Sequence, residues 1–100
     1  MSTFIVAQIS IRDRDDYSKY ESGFMEIFSK HSGRILSVDE DPQLLEGSWP
    51  FTRTVLIQFP SNKEAMAWYG SDEYKRLAKH RLASSDANIV LISGYDDSDV

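Results

Sequence analysis

The 100-residue chain predicts an α+β fold of the ferredoxin-like class: a four-stranded antiparallel sheet with two helices on one face. Three observations carry that prediction. Apolar periodicity alternates along the chain in the order strand, helix, strand, strand, helix, strand. The elements are almost evenly spaced. The segments VAQIS (6–10) and LIQFP (56–60) echo each other weakly, each just ahead of a helix. A βαββαβ order with such halves is the split βαβ arrangement. Two other strand orders are open to the same pattern, and the even spacing favours this one.

Each element has a local reason. Residues 3–11 are rich in β-branched side chains and short enough for a strand. Asp13 is placed to cap a helix running to about His31, with Tyr17, Tyr20, Phe24, Ile27 and Phe28 at helical spacing. Gly33 is expected to close it in the left-handed conformation that ends many helices. Residues 34–39 predict a second strand, DEDPQLLEGSWP (39–50) a loop, and residues 52–59 a third strand ended by Pro60. Ser61 and Glu64 make the S-x-x-E pattern of a capping box and open the second helix. Residues 88–95 predict the last strand. The sequence thus predicts one domain over residues 1–95 and an acidic, disordered tail over 96–100.

Composition narrows the function classes. The net charge is −5, but Asp96, Asp97 and Asp99 supply three of those charges, leaving −2 on residues 1–95. That balance argues against a nucleic-acid-binding surface, which needs a basic face. The absence of cysteine removes disulfides, thiolate nucleophiles and zinc–thiolate sites. The first residues lack the basic flank and long apolar run of a signal peptide, and no stretch approaches the ~18 apolar residues of a membrane span. A cytoplasmic location is the expectation.

The strands raise a question of coverage. Ile5, Ala7, Ile9 and Ile11 fall on one face of the first strand, and Phe4 and Val6 on the other. The third strand sets Val55, Ile57 and Phe59 against Leu56; the fourth sets Val90 and Ile92 against Ile89, Leu91 and Tyr95. A sheet with one wet face alternates apolar with polar residues, and this one is apolar on both. Two helices cover one face only. The economical cover for the other is a second copy of the sheet, so the sequence predicts a homodimer; the alternative is a monomer with an open apolar face, and such patches are uncommon on soluble monomers.

The second helix carries the candidate site. Gly70 costs ~1 kcal/mol in a helix interior relative to alanine, and Ser71 is a good cap followed by Asp72 and Glu73. The helix is therefore expected to halt near Tyr69 and restart at Ser71, letting Trp68 and Tyr74 splay apart. On the second segment Tyr74, Leu77, Ala78 and Arg81 share a stripe, with Lys75, Arg76 and Lys79 towards solvent. An arginine on a buried stripe needs a partner. The commoner cause is a structural ion pair, for which Glu46 is the expected carboxylate, or a snorkelling side chain. The functional alternative is an anion-binding group in a pocket walled by Trp68, Tyr69 and Tyr74. Glu46, Arg53 and Arg81 are expected to form a polar cluster at the pocket mouth.

The run E46-G-S-W-P-F-T-R53, then FPSNKEAMAWYGSDEY and Arg81, resembles a bacterial family known as domain of unknown function thirteen-thirty. Its pattern is an EG pair, an arginine opening the third strand, F-P-S, and A-x-x-W-Y-x-S-x-x-Y with a later arginine. Glu46, Gly47, Arg53, Phe59, Pro60, Ser61, Ala65, Trp68, Tyr69, Ser71, Tyr74 and Arg81 match it. The resemblance spans nearly the whole chain and implies a dimeric α+β barrel. That superfamily includes antibiotic-biosynthesis-type monooxygenases, muconolactone-isomerase-like enzymes and chlorite-dismutase-like haem proteins; the family itself has no established reaction. The segment KHSGRIL departs from the pattern, since relatives often carry a glycine pair there, and His31 has no counterpart in it.

No catalytic constellation accompanies the pocket. His31 extends the first helix's stripe; it is a structural helix-end histidine in the plainer reading and a proton-transfer group in the sharper one. His80 is expected in solvent, and two histidines so far apart have no metal-ligand spacing. Asp39, Glu40, Asp41 and Glu46 lack the glycine and terminal glutamate of a calcium loop and read as solvated charge. No Gly-rich phosphate loop or G-x-S-x-G elbow occurs. The expectations are no metal, no cofactor, and one of three functions. The first is an enzyme or binder of a small molecule, with Arg53, Trp68, Tyr69, Tyr74 and Arg81 holding the ligand and Glu46 or His31 moving protons. The second is a non-catalytic interaction or regulatory domain. The third and weakest is a haem-handling protein.

Overall fold

The computed structural model describes residues 2–95; the predicted acidic tail lies outside the described residues. The elements are β1 (Thr3–Ile11), α1 (Arg14–Phe28), β2 (Arg34–Asp39), β3 (Arg53–Phe59), α2 (Asn62–Tyr69), α3 (Asp72–Ser84) and β4 (Ser85–Ser93). The strand order is β2-β3-β1-β4, every neighbouring pair antiparallel. Each crossover therefore jumps a strand: β1 and β2 flank β3, and β3 and β4 flank β1. This is the split βαβ topology of the ferredoxin-like class.

Side-chain period decides which face is covered. Ile5, Ala7 and Ile9 of β1 and Ile57 and Phe59 of β3 form one core with Tyr17, Tyr20 and Phe28 of α1, Ala65 and Trp68 of α2, and Tyr74 and Ala78 of α3. All three helices thus lie on one face. The opposite face sets Val6 between Leu56 and Val90, and Phe4 beside Ile92. Val90 and Ile92 are 54% and 47% exposed. Both faces are apolar, and the described chain covers one.

Most boundaries follow the sequence, and the exceptions have reasons. Asp13 caps α1 through bonds from the Asp15 and Asp16 N–H groups, and Ser61 caps α2 through the Glu64 N–H. The helix halts as expected: Gly70 ends α2, and Ser71 caps α3 by accepting from the Tyr74 N–H at 3.2 Å. β4 begins at Ser85 rather than Asn88, because β1 is long enough to pair Ile11 with Ser85. The Arg12 and Asp13 N–H groups also anchor on the Ser84 carbonyl. α1 ends at Phe28 rather than His31; the Lys30 and His31 N–H groups bond carbonyls three residues back, a tighter turn than the α-helix. Gly33 does not use the left-handed conformation: among described residues the positive-φ glycine is Gly47, at 81°. Gly33 is needed for space, since a Cβ there would stand 2.6 Å from ring atoms of both Phe28 and Phe59.

Candidate functional site

A cavity of about 200 Å³ opens between the helices and the covered sheet face. Its floor is apolar, made by Ile5, Ala7 and Ile9 with Val55, Ile57 and Ile89, because alternate residues of three adjacent strands point the same way. Its walls are aromatic. α1 contributes Tyr17, Tyr20 and Phe24 at helical spacing, and the interrupted helix contributes Trp68, Tyr69 and Tyr74.

The halt shapes these walls in the opposite sense to that expected. Trp68 and Tyr74 do not splay; their ring centroids stand 4.3 Å apart. In an unbroken helix, six residues correspond to a rise of about 9 Å and a turn of about 240°, which would keep the rings apart. Breaking the helix at Gly70 lets them meet. Trp68 also lies against Phe59 at 5.6 Å and Phe28 at 5.4 Å, joining the wall to the core.

The polar groups are few and placed among these rings. The Tyr20 and Tyr74 hydroxyls share a 2.8 Å hydrogen bond across α1 and α3. Burial, reinforced by the neighbouring Tyr74 hydroxyl, pushes the Tyr20 phenol far above its ordinary pKa, so it stays protonated. Tyr17 is raised too: burial outweighs the opposing pull of Arg53. The Arg53 guanidinium lies 5.6 Å from the Tyr17 ring centroid and that of Arg81 5.9 Å from Tyr20, so consecutive inward tyrosines of α1 each carry a cation.

The two arginines differ in their partners. Arg53 pairs with Glu40 through Nη1 and reaches Glu21 through Nη2 at 3.5 Å. Arg14 adds longer contacts to the same carboxylates, 3.8 Å to Glu21 and 3.7 Å to Glu40. Burial opposes the charge on Arg53, but Tyr17, Glu40 and Glu21 outweigh it and hold its pKa above the ordinary value. Arg81 is 5% exposed and forms no ion pair among the described residues. Burial opposes its charge as well, and there it is the Tyr74, Tyr20 and Tyr69 phenols that prevail. The Nε–H groups of Arg53 and Arg81 and the indole N–H of Trp68 are buried without hydrogen-bond partners among the described residues.

Arg53, Trp68, Tyr69, Tyr74 and Arg81 thus come together around one cavity. Glu46 and His31 are not among its lining residues. Glu46 is exposed and makes no ion pair among the described residues, so the expected Glu46–Arg81 contact is corrected. The register explains why. Asp39 pairs with Thr54, which brings the next residue, Glu40, beside Arg53. The loop is pinned elsewhere by the Trp49 indole donating to the Thr54 hydroxyl at 2.9 Å. Glu40 is therefore not merely solvated charge. His31 is half-buried beyond the end of α1, and His80 is half-buried too, paired with Asp16 at 3.1 Å rather than free in solvent. Among the described residues no group of three or more His, Asp or Glu could hold a metal ion.

The sequence places Tyr17 and Tyr20 on the core stripe without marking them, or Glu21, as parts of the site. The signal that could have found them is chemical: two hydroxyl-bearing rings on an apolar stripe need polar partners, and Glu21 sits one turn beyond Tyr17.

Known proteins place this arrangement in context. The profile of the family described as Domain of unknown function (DUF1330) matches residues 2–95. No curated protein matches the sequence. Among solved structures, a protein of unknown function from Rhodopseudomonas palustris has 15% identity and a TM-score of 0.79, over 95% of this chain and 83% of that one. SnoaB, a cofactor-independent oxygenase from Streptomyces nogalater, has 14% identity and a TM-score of 0.62, over 95% and 94%. A provisionally assigned antibiotic biosynthesis monooxygenase from Nitrosomonas europaea has 12% identity and a TM-score of 0.59, over 96% and 92%. At these identities the likeness is one of fold.

Proposed function

This chain belongs to the DUF1330 family, and from that premise we propose that it binds, and in the enzymatic form of the reading transforms, a small molecule in the cavity between its helices and sheet. One observation carries the proposal: an apolar cavity of about 200 Å³ gathers two arginines and the Tyr20–Tyr74 hydroxyl pair among its aromatic walls. Ligand sites are typically apolar hollows with a few convergent polar groups. A helix broken to bring Trp68 against Tyr74 serves such a wall directly. The fold likeness to SnoaB makes cofactor-independent oxygenation one reaction class to test, with isomerisation beside it; both rest on fold analogy.

A thermal-shift screen of small aromatic and aliphatic compounds tests the binding. A ligand held only by the folded state adds ~2.7 kcal/mol at 100 times its Kd, several degrees in Tm for a chain of this size. Reproducible stabilisation by one chemical class is expected. A flat screen across all classes would remove the reading. The second reading, a non-catalytic interaction domain, draws on the bracing of Arg53 by Glu21 and Glu40, which gives one of the two cations a structural role.

The working form in this proposal is a homodimer joined through the uncovered sheet face. Its support is the apolar patch of Phe4, Val6, Leu56, Val90 and Ile92, which water would otherwise wet. Sedimentation at micromolar concentration should give roughly twice the 11.4 kDa chain mass. A persistent monomer would refute the two-sheet arrangement.

A further inference from the structure

The unpartnered polar side-chain atoms buried among the described residues are all of one kind. Arg53 Nε, Trp68 Nε1 and Arg81 Nε are donors, each buried and each without an acceptor. Folded chains satisfy nearly all their buried donors, so an exception calls for an explanation. Here three exceptions fall on residues lining one cavity. A cavity bordered by residues with donors to spare suits an acceptor-bearing ligand better than a purely donating one.

Charge narrows the ligand further. Arg53 already has two carboxylates, Glu21 and Glu40, on its terminal nitrogens. Arg81 has no carboxylate among the described residues although it is buried, and a guanidinium cannot escape by deprotonating. The neighbouring phenols are neutral groups that solvate the cation without neutralising it. Burying a charge without a counter-charge is costly, and proteins otherwise pair it. The cavity therefore has one net positive charge to be met, on α3.

Size and surface supply the rest. About 200 Å³ is somewhat more than the ~150 Å³ apolar hollow that accepts a benzene ring. Aromatic faces from Phe24, Trp68 and Tyr74 border that space. Resting on the small-molecule reading above, we propose that the cavity selects a monocyclic aryl monocarboxylate, its ring among the aromatic walls and its carboxylate on Arg81. A dianion exceeds the single uncompensated charge.

Calorimetric titration of the full chain at neutral pH with benzoate, salicylate and 2-furoate, against benzamide, benzyl alcohol and benzylamine, tests the proposal. The carboxylates should bind and their neutral and cationic counterparts should bind far more weakly. Arg81→Met keeps the apolar stem, and it should weaken carboxylate binding about 10- to 100-fold, the worth of a hydrogen bond to a charged group. Arg81→Lys should recover part of that loss. If the neutral compounds bind wild type as tightly as the carboxylates, the charge assignment is overturned while the small-molecule reading stands. If nothing in either set binds, the aryl monocarboxylate assignment falls, and the small-molecule reading is decided separately by the thermal-shift screen. The wild-type preference for anion over isostere is decisive even if Arg81→Met fails to fold.

Discussion

Trp68→Ala should lower the unfolding free energy by ~3–5 kcal/mol, the usual cost of truncating a buried large aromatic. A domain of this size has ~5–15 kcal/mol in total, so the loss is a large share of its stability. The reason lies in where the indole stands. It is 2% exposed and touches rings from three other elements: Phe28 of α1, Phe59 of β3 and Tyr74 of α3. Its removal would empty the joint between the core and the cavity wall. Trp68→Phe separates the contribution of the ring from that of its N–H. The smaller ring keeps part of the stacking, and the N–H it deletes is buried without a partner, a state that itself costs ~1–3 kcal/mol. Chemical denaturation at fixed protein concentration should therefore rank the variants wild type, Trp68→Phe, Trp68→Ala, with the larger gap at the second step. Equal losses for Phe and Ala would mean that a smaller ring recovers none of the indole packing, against the stacking account of the joint.

How far this architecture can be read from sequence depends on the range of the interaction. The caps at Asp13, Ser61 and Ser71 are contacts within three residues, and all three form as the sequence implies. The apolar doubling of the strands is a property of period two and carries over to both sheet faces. The stripe that turns Arg81 inward is a property of period 3.6, and Arg81 is buried. Partner choice is different, because it depends on register between distant segments. Glu46 and Glu40 are both carboxylates of one loop, and nothing local ranks them. The pairing of Asp39 with Thr54 does so by setting Glu40 next to Arg53. The approach of Trp68 to Tyr74 is likewise set by the angle at which α3 leaves Gly70, which the break permits but does not specify.

The cavity follows from these local and distant terms together. Period places Arg81 and the tyrosines of α1 inside; register then provides carboxylates for Arg53 and leaves Arg81 without one among the described residues. Two arginines that look equivalent in sequence thereby acquire different surroundings. Glu21 and Glu40 hold the cation that opens β3, and the α3 cation is held among phenols instead.

Gly33→Ala should cost ~1–3 kcal/mol, the usual penalty for overpacking a core, and not the strain of a left-handed backbone. If Gly33 served as a left-handed helix terminator, alanine would be strained by a positive φ, and asparagine would be a tolerable substitute. Its φ is not positive, and the obstacle is instead the ring edges of Phe28 and Phe59, 2.6 Å from the place a Cβ would occupy. Those rings are 3% and 0% exposed and packed against each other and Trp68, so neither can swing into solvent. Gly33→Asn, being larger, should lose more than alanine rather than less. Reducing the ring should relieve the clash: in a Phe28→Leu background the further cost of Gly33→Ala should shrink, a coupling that a double-mutant cycle measures directly. Strict additivity would leave the clash to Phe59 alone, and an asparagine variant more stable than alanine would overturn the crowding account.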